Sequence, residues 1–231
     1  MIETGAMTDA GGGEGVVIWA LEQTAGRGRG GRIWSGAPGN LYISVVLSAP
    51  EVIGQAPQIG FVAALSLIAA IQEVAPDHAS DAALKCKWPN DVLFGGGKVS
   101  GILLETSVAP DGSSWVVLGI GVNLNPVEVP DAGYPVTSLA EQGIKVTPAR
   151  LVDALLHDLG PRLGRWRRDG FEAVRAEWVA RAARIGETLT VAGAAGTMRG
   201  CFIGLDTDGA MLLEGPGGGR PYRVLAGDVL R

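Results

Sequence analysis

The feature that most constrains this chain is the stretch at residues 23–34, which has four glycines and three arginines between a glutamine and a tryptophan. Glycine destabilises helices and reaches positive φ at no steric cost. Pro38 and two further glycines follow within six residues, so the stretch is predicted to be a loop. Arginine has forked donors that suit phosphates and carboxylates. We expect the loop to hold an anion beside an apolar group; the alternative is an exposed, charged turn.

Two glycine-rich phosphate motifs can be compared with this loop. Gly26, Gly28 and Gly31 have the spacing of the dinucleotide-binding fingerprint, but that fingerprint must open a helix. The proline and glycines after Trp34 argue against a helix there. The chain has no Gly-x-x-x-x-Gly-Lys-Ser/Thr run, which excludes a P-loop. We therefore expect arginine side chains and backbone N–H groups to bind the anion.

Composition narrows the function classes. The 231 residues are 47% hydrophobic and 19% charged, which allows a sizeable core in one large domain or in a large and a small one. The net charge of −5 is unlike that of general nucleic-acid binders, which are basic. The two cysteines, Cys86 and Cys201, form no metal-binding spacing. No signal peptide is evident and the apolar stretch at 60–71 is too short to span a membrane, so we expect a cytoplasmic protein with no membrane or nucleic-acid partner.

Hydrophobic periodicity predicts an α+β fold. Strands are expected at residues 16–22, 41–48, 84–88, 91–94, 98–107 and 114–125, and helices at residues 57–74, from Thr147 and from Phe171. The first strand is expected to be buried. Thr147 followed by proline is a favourable helix start, and the Gly-Pro pair at 160–161 should kink or break the helix that follows.

The end of the chain has a different pattern. Beyond Ile185, short strands alternate with glycines, an Asp-Gly pair marks a hairpin turn, and residues 222–225 are expected to form the last strand. This pattern favours a small SH3-like barrel. We predict two domains, residues 1–184 and residues 185–231, with residues 1–15 disordered. A mobile loop is expected at residues 126–140.

Three further motifs place reactive side chains at the ends of predicted strands. Residues 87–91 (Lys-Trp-Pro-Asn-Asp) combine a cation, an aromatic ring, an amide and a carboxylate. Residues 98–105 begin an apolar strand with a lysine, and residues 119–125 hold two glycines and two asparagines. Each has a structural alternative: the tryptophan can be core, the carboxylate can pair with the lysine, the glycines can serve strand packing and the asparagines can form turns. By itself, none of the motifs is specific.

Together and in this order, the motifs closely resemble those of the biotin protein ligase family, the biotin–[acetyl-CoA-carboxylase] ligases, in the form without an N-terminal DNA-binding domain. The matching segments are residues 23–34, 39–42, 87–91, 98–105 and 119–123. The resemblance extends from about Val16 to the C-terminus. It implies a catalytic domain built on a mixed β-sheet flanked by helices, as in class II synthetases, followed by a small SH3-like barrel.

The resemblance implies a two-step ligase that uses ATP and Mg²⁺. The carboxylate of biotin attacks the α-phosphate of ATP to give biotinyl-5′-AMP, and a lysine of a biotin carboxyl carrier protein domain then takes the biotinyl group. No covalent enzyme intermediate is needed, so positioning and charge stabilisation dominate. Some relatives pair through their sheets, so a homodimer is a further expectation.

The resemblance also assigns residues. Arg27 and Arg29 belong to the loop that folds over the ligand, and Lys98 lies against the carboxylate–phosphate junction. Asp91 is a candidate Mg²⁺ ligand or lysine partner. Tyr134 either stacks on the adenine or faces the solvent. The pocket residues that the resemblance implies are Gln23, Gly26, Arg32, Trp34, Asn90, Gly101, Gly119 and Asn123, with the two asparagines on the nucleotide side.

The chain departs from the family pattern in two places. The family has a Ser/Thr-Asn motif on a helix near the start of the catalytic domain, which residues 1–15 do not carry, and Gly30 stands where relatives often have a basic residue. No helix-turn-helix segment precedes the catalytic part, so a repressor is not predicted. Two alternatives stay open: a lipoate or octanoate ligase, against which the motif at 87–91 argues, and a non-catalytic binder of biotin or its adenylate.

Overall fold

The computed structural model describes residues 13–48, 53–80, 83–108, 112–129, 133–193 and 196–230. Residues 1–12, most of the segment that the sequence predicts to be disordered, lie outside the described part. Gly15 is within it, and its backbone N–H donates to the carbonyl of Val46 at 2.9 Å. The chain therefore enters the fold along the edge of a sheet.

The larger of two sheets has the strand order β1-β2-β6-β5-β4-β3, and all neighbouring strands are antiparallel. Its strands are β1 (Val17–Ala20), β2 (Leu41–Ser48), β3 (Leu84–Lys87), β4 (Asp91–Phe94), β5 (Gly97–Val108) and β6 (Ser114–Val122). Among the described residues, parallel pairing occurs only in two isolated β-bridges, Cys86–Ala182 and Lys98–Val136. β1 pairs only with β2 and leaves Trp19 40% exposed, so the prediction that this strand is buried is wrong.

Three helices complete this layer: α1 (Ala56–Val74), α2 (Pro148–Asp169) and α3 (Glu172–Ala180). α1 packs closely on one face of the sheet, because a Cβ on Gly60 would lie 3.4 Å from a methyl carbon of Leu104 on β5. By length and composition α1 could cross a membrane, but most of its residues are buried inside the protein. It is the core helix that the sequence predicts, and it leaves the opposite face of the sheet for the site.

α2 begins where the sequence predicts, but it is longer. The hydroxyl of Thr147 accepts a hydrogen bond from a backbone N–H of the first turn at 3.3 Å. The predicted break at residues 160–161 does not occur, since the helix is continuous with Pro161 inside it. Proline removes one helical hydrogen bond, but the buried stripe continues on both sides of it through Leu159 and Trp166. Packing of this stripe against α1 outweighs the local loss.

The smaller sheet has five antiparallel strands in the order β10-β9-β8-β7-β11. They are β7 (Thr188–Gly193), β8 (Gly196–Leu205), β9 (Met211–Glu214), β10 (Tyr222–Val224) and β11 (Asp228–Leu230). The Asp-Gly turn between β8 and β9 is confirmed, with Gly209 at φ +91°. The prediction that β10 is the last strand is wrong, because β11 follows it and pairs with β7.

The two sheets share one buried core. The indole N–H of Trp88 donates to the carbonyl of Gly209 at 3.2 Å. The guanidinium of Arg175 donates to the backbone carbonyl of Leu205 at 2.9 Å. A single cluster of buried apolar side chains contains residues from both parts of the chain. The domain boundary between residues 184 and 185 stays a prediction.

The described part of residues 126–140 is tied to β5. The backbone N–H of Lys98 donates to the carbonyl of Pro135 at 2.8 Å, and that of Thr137 donates to the carbonyl of Lys98 at 3.0 Å. Ser138 and Leu139 are fully buried. These hydrogen bonds hold residues 133–140 against β5 and bring Tyr134 next to Lys98, while the mobility expected of residues 126–140 stays a prediction.

Candidate active site

Residues 23–36, here called the arginine hairpin, cover the face of the larger sheet opposite α1. Its two arms are joined by backbone hydrogen bonds from Trp34 to the carbonyl of Gly26 (3.0 Å) and from Gly28 to the carbonyl of Arg32 (2.7 Å). A Cβ on Gly26 would lie 2.4 Å from the carbonyl oxygen of Trp34, so only glycine lets the arms approach. Gly30, at the tip, takes φ +63°.

The hairpin places Trp34 flat on two paired glycines of the sheet. Gly101 on β5 lies opposite Gly121 on β6. A Cβ on Gly101 would lie 2.8 Å from the indole ring, and one on Gly121 would lie 2.6 Å from it. Because side chains there would displace the ring, the two glycines create the space that the tryptophan occupies.

A second wall of the site comes from the ends of three adjacent strands. Lys87 on β3 pairs with Asp91 on β4, and Asp91 pairs with Gly101 on β5, three residues beyond Lys98. The ammonium of Lys98 lies 2.6 Å from Oδ1 of Asp91, and the ammonium of Lys87 lies 3.4 Å from Oδ2. We call Lys87, Asp91 and Lys98 the strand wall. The ring of Tyr134 lies beside it, with its centroid 5.1 Å from the ammonium of Lys87 and 5.3 Å from that of Lys98.

Two arginines of the hairpin are held by residues of the larger sheet. Arg27 lies 3.7 Å from a carboxylate oxygen of Glu105 on β5. Arg29 donates to the side-chain oxygen of Asn90 at 3.3 Å. Burial lowers the pKa of Arg29, although a guanidinium starts from so high a pKa that it stays charged at neutral pH.

The third arginine of the hairpin connects it to the smaller sheet. Arg32 forms an ion pair with Asp228 on β11, with 2.9 Å between nitrogen and oxygen. Asp228 and Val229 both line the cavity under the hairpin. The last strand of the chain therefore belongs to the site.

Two cavities lie between these walls. The larger has an empty volume of about 930 Å³, which includes space open to solvent, and the smaller has about 320 Å³. Trp34, Lys98 and Tyr134 line both. Among the other walls of the smaller cavity are the apolar side chains of Val127, Val129 and Val136. The ammonium of Lys98 thus stands where a cavity lined by both charged and apolar groups meets a smaller, largely apolar one, which suits a ligand whose anionic centre lies between two bulkier groups.

The structure brings most of the sequence-predicted site residues together. Those that line the larger cavity are Gln23, Arg27, Arg29, Arg32, Trp34, Asn90, Asp91, Lys98, Gly101 and Gly119. Asn123 lines the smaller cavity, and its side-chain N–H donates to the carbonyl of Thr137 at 3.0 Å. Gly26 lines neither cavity but lies in the hairpin stem.

Sequence reasoning missed several contributors to the larger cavity, among them Gly121, Lys87 and Asp228. Lys87 and Gly121 lie within the motifs at residues 87–91 and 119–125, but the sequence analysis predicted no role for either side chain. The alternation of glycines on β6 is a signal that could have identified Gly121. Asp228 had no signal, because it lies 196 residues from its partner Arg32. Tyr134 is half-buried, and its ring lies beside the ammonium groups of Lys87 and Lys98.

The candidate metal residue Asp91 is a single carboxylate. Among the described residues, no group of three or more His, Cys, Asp or Glu side chains could hold a metal ion. Mg²⁺ typically keeps several waters and uses one or two carboxylates together with substrate phosphates. Asp91 therefore fits as one ligand of a metal ion that arrives with a nucleotide, and not as part of a metal cage.

Comparison with known proteins agrees with this geometry. The sequence pattern of the Biotin/lipoate A/B protein ligase family matches residues 13–123. The biotin–[acetyl-CoA-carboxylase] ligase of Paracoccus denitrificans is 41% identical over 212 residues, which cover 87% of this chain and 85% of that protein. The chain belongs to the biotin protein ligase family.

Other members of the biotin protein ligase family match over similar lengths. The biotin–[acetyl-CoA-carboxylase] ligase of Mycobacterium tuberculosis is 37% identical, and the match covers 94% of this chain and 79% of that protein. The structure of the Aquifex aeolicus biotin protein ligase in complex with biotin and ATP superposes with a TM-score of 0.80 at 29% identity, covering 94% of this chain and 88% of that one. The α+β fold predicted from the sequence is confirmed.

Proposed function

We propose that this protein is an ATP-dependent ligase that forms biotinyl-5′-AMP and transfers biotin to a lysine of a carrier protein. One observation carries the proposal: Lys98 lines both cavities and is flanked by the rings of Trp34 and Tyr134. An acyl adenylate has the matching shape, with an apolar acyl group and a nucleoside on either side of a carboxylate–phosphate junction.

In the first step an oxygen of the biotin carboxylate attacks the α-phosphorus of ATP. The bond from that phosphorus to the oxygen bridging to the β-phosphate breaks, and its electron pair leaves with pyrophosphate. The ammonium of Lys98 lies where the negative charge on the α-phosphate oxygens accumulates. Arg27 and Arg29 approach from the hairpin, and preorganised donors of this kind account for most of the catalysis in such reactions.

The nucleotide side of the site uses the smaller cavity. We propose that Asn123 faces the nucleoside and that Tyr134 stacks on the adenine, whereas Asn90 lines the larger cavity beside Arg29. Mg²⁺, bound with the triphosphate and ligated by Asp91, would neutralise phosphate charge. Asp91 can turn from its two lysines toward the metal ion once the phosphates have drawn those lysines away.

In the second step the amine of a carrier lysine attacks the acyl carbon of biotinyl-5′-AMP. The bond from carbon to the phosphate oxygen breaks, AMP leaves with the electron pair, and the amine loses a proton. The reactive anhydride needs protection from water. The arginine hairpin, packed through Trp34 onto the sheet, is placed to provide it.

The test is biotin transfer to a carrier domain. Incubation with biotin, ATP, Mg²⁺ and a biotin carboxyl carrier domain should add one biotinyl group, measured by mass spectrometry, and a carrier with its acceptor lysine replaced by arginine should gain none. Transfer of lipoate in place of biotin would identify a lipoate ligase. Tight biotin binding without transfer would identify the non-catalytic binder.

Two further expectations accompany the proposal. Cys86 and Cys201 are both free thiols, as in proteins of the reducing cytoplasm. A homodimer stays a prediction of the resemblance. The outer edge of β3 is bonded to Arg181 and Ala183, so within the described part of the larger sheet β1 is the edge that could accept a second copy. Sedimentation velocity measures the oligomeric state.

A further inference from the structure

Lys87 lines the larger cavity but has no assigned role in the two steps of the proposed reaction. Its side chain is 24% exposed and its ammonium lies 3.4 Å from Oδ2 of Asp91. Lys98 occupies the other oxygen of the same carboxylate, at 2.6 Å. One carboxylate thus holds two ammonium groups side by side, although like charges at such short range repel each other. This arrangement is suited to an anion larger than a carboxylate.

The two lysines differ in their relation to the cavities. Lys98 lines both, and the rings of Trp34 and Tyr134 each lie 5.3 Å from its ammonium. Lys87 lines only the larger of the two, with the ring of Tyr134 beside it. Starting from Trp34, the order along the strand wall is therefore Lys98, Asp91 and Lys87.

The phosphates of ATP have to follow this order. The α-phosphorus is bonded to the nucleoside and becomes bonded to the acyl group, so it belongs where the two cavities meet, at Lys98. The β- and γ-phosphates are bonded to neither group after the reaction and carry away the electron pair of the broken bond. They need a cation that faces the larger cavity beyond Lys98, and Lys87 is the next cation along the strand wall.

We propose that Lys87 binds the leaving pyrophosphate, and that Asp91 holds its ammonium in position until the phosphates of ATP replace the carboxylate. This inference rests on the proposed function. Stabilising the charge on the leaving group accelerates formation of the adenylate. Transfer of biotin to the carrier involves no pyrophosphate, so Lys87 has no role in the second step.

The test measures the two half-reactions separately in Lys87→Met. Formation of biotinyl-5′-AMP from biotin and ATP should fall by roughly 10²–10³-fold. The inhibition constant of pyrophosphate should rise by roughly 10- to 100-fold, as expected for a lost charge-assisted hydrogen bond. Transfer from added biotinyl-5′-AMP to the carrier should keep the wild-type rate. Lys87→Arg, which keeps the charge, should restore part of the first half-reaction.

The matched control is Lys85→Met, because Lys85 lies two residues earlier on β3 and lines neither cavity. It should keep both rates. If Lys87→Met does not fold, as judged by circular dichroism, Lys87→Gln and Lys87→Arg carry the test. An unchanged first half-reaction, or equal losses in both, overturns the role of Lys87 while leaving the ligase activity standing. A wild-type protein that forms no biotinyl-5′-AMP overturns the proposed function and this inference together.

Discussion

The two walls of the site hold their charges in different ways. In the strand wall, the side chains of Lys98 and Asp91 are 13% and 10% exposed, and one carboxylate serves two lysines. In the arginine hairpin, the side chains of Arg27 and Arg32 are 48% and 52% exposed, and each has its own partner on another element. The strand wall is therefore fixed by the sheet, whereas the hairpin is attached by contacts at its surface.

This difference divides the work of the site. Buried charges on strands that the sheet fixes already lie close to where charge develops in the reaction, so they contribute most to rate. Exposed ion pairs contribute little to stability, so the arginines of the hairpin can exchange their carboxylate partners for a ligand at little cost. We infer that the strand wall stabilises the reacting phosphate and that the hairpin closes over it.

The largest effect is expected at the strand wall. Replacing Lys98 by alanine removes the cation at the junction of the two cavities and should lower the rate of biotinyl-5′-AMP formation by roughly 10²–10³-fold. The rate is measured by quenched-flow chromatography of the adenylate. Circular dichroism should show an unchanged fold. A variant with the wild-type rate would show that Lys98 does not stabilise the reacting phosphate. The strand wall would then contribute no more to the rate than the arginine hairpin does.

The packing of the arginine hairpin on the larger sheet depends on the contact between Trp34 and Gly121. In Gly121→Ala the new Cβ would lie 2.6 Å from the indole of Trp34, and overpacking of this kind costs about 1–3 kcal/mol. If that cost falls on the closed hairpin, the dissociation constant of biotin should rise by roughly 5- to 150-fold, as measured by isothermal titration calorimetry. Gly164→Ala on α2 is the control, because its Cβ would meet nothing within 4 Å. Equal affinities in the two variants would show that Trp34 does not close the site.

The rigidity of the strand wall depends on the buried side chains behind it, which include Cys86. Burial raises the pKa of Cys86 on β3 to about 12. Above the usual pKa of a thiol, the unfolded chain releases a proton that the folded chain retains. The free energy of unfolding should therefore fall as the pH rises from about 9 toward 12, by up to about 1.4 kcal/mol per pH unit. Urea titrations between pH 8 and pH 10.5 measure this slope.

Matched variants isolate the contribution of Cys86. Cys86→Ala should lose that part of the slope, and Cys201→Ala should keep it. A slope that is identical in the wild type and in Cys86→Ala would mean that water reaches the back of β3 and that the strand wall is less rigid than its burial indicates.

The smallest effect is expected in the hairpin. The ion pair between Arg32 and Asp228 is about half exposed on both sides, so its coupling free energy should be about 0.2–1 kcal/mol and should decrease with added salt. A double-mutant cycle with Arg32→Gln and Asp228→Asn, read by urea unfolding, measures it. A coupling well above this range would show that the hairpin is anchored as firmly as the strand wall.

The sequence predicted those parts of the structure that depend on local pattern. The bounds of β2 and β4 follow from runs of mostly apolar residues, and the start of α2 follows from the Thr-Pro pair. Continuity of α2 through Pro161 could not be predicted, because it depends on tertiary packing against α1. The exposure of β1 could not be predicted either, since an apolar strand at the edge of a sheet has the same composition as a central one.

For the site, the quoted motifs contained most of the residues that meet in the cavities. Lys98 and Asp91 lie seven residues apart, and the hairpin between β4 and β5 brings them together by local geometry. The contribution of Asp228 depends on how the smaller sheet packs against the larger one, which no local pattern encodes. The attachment of residues 133–140 to β5 likewise depends on long-range contacts, such as that of Thr137 with Lys98.

The most direct test of the account is biotin-dependent exchange of labelled pyrophosphate into ATP. It isolates the step in which a carboxylate is activated at Lys98. The account predicts exchange in the presence of biotin and Mg²⁺, and none with lipoate or without an acid. A protein that binds biotin but supports no exchange, or that exchanges equally well with lipoate, would contradict it.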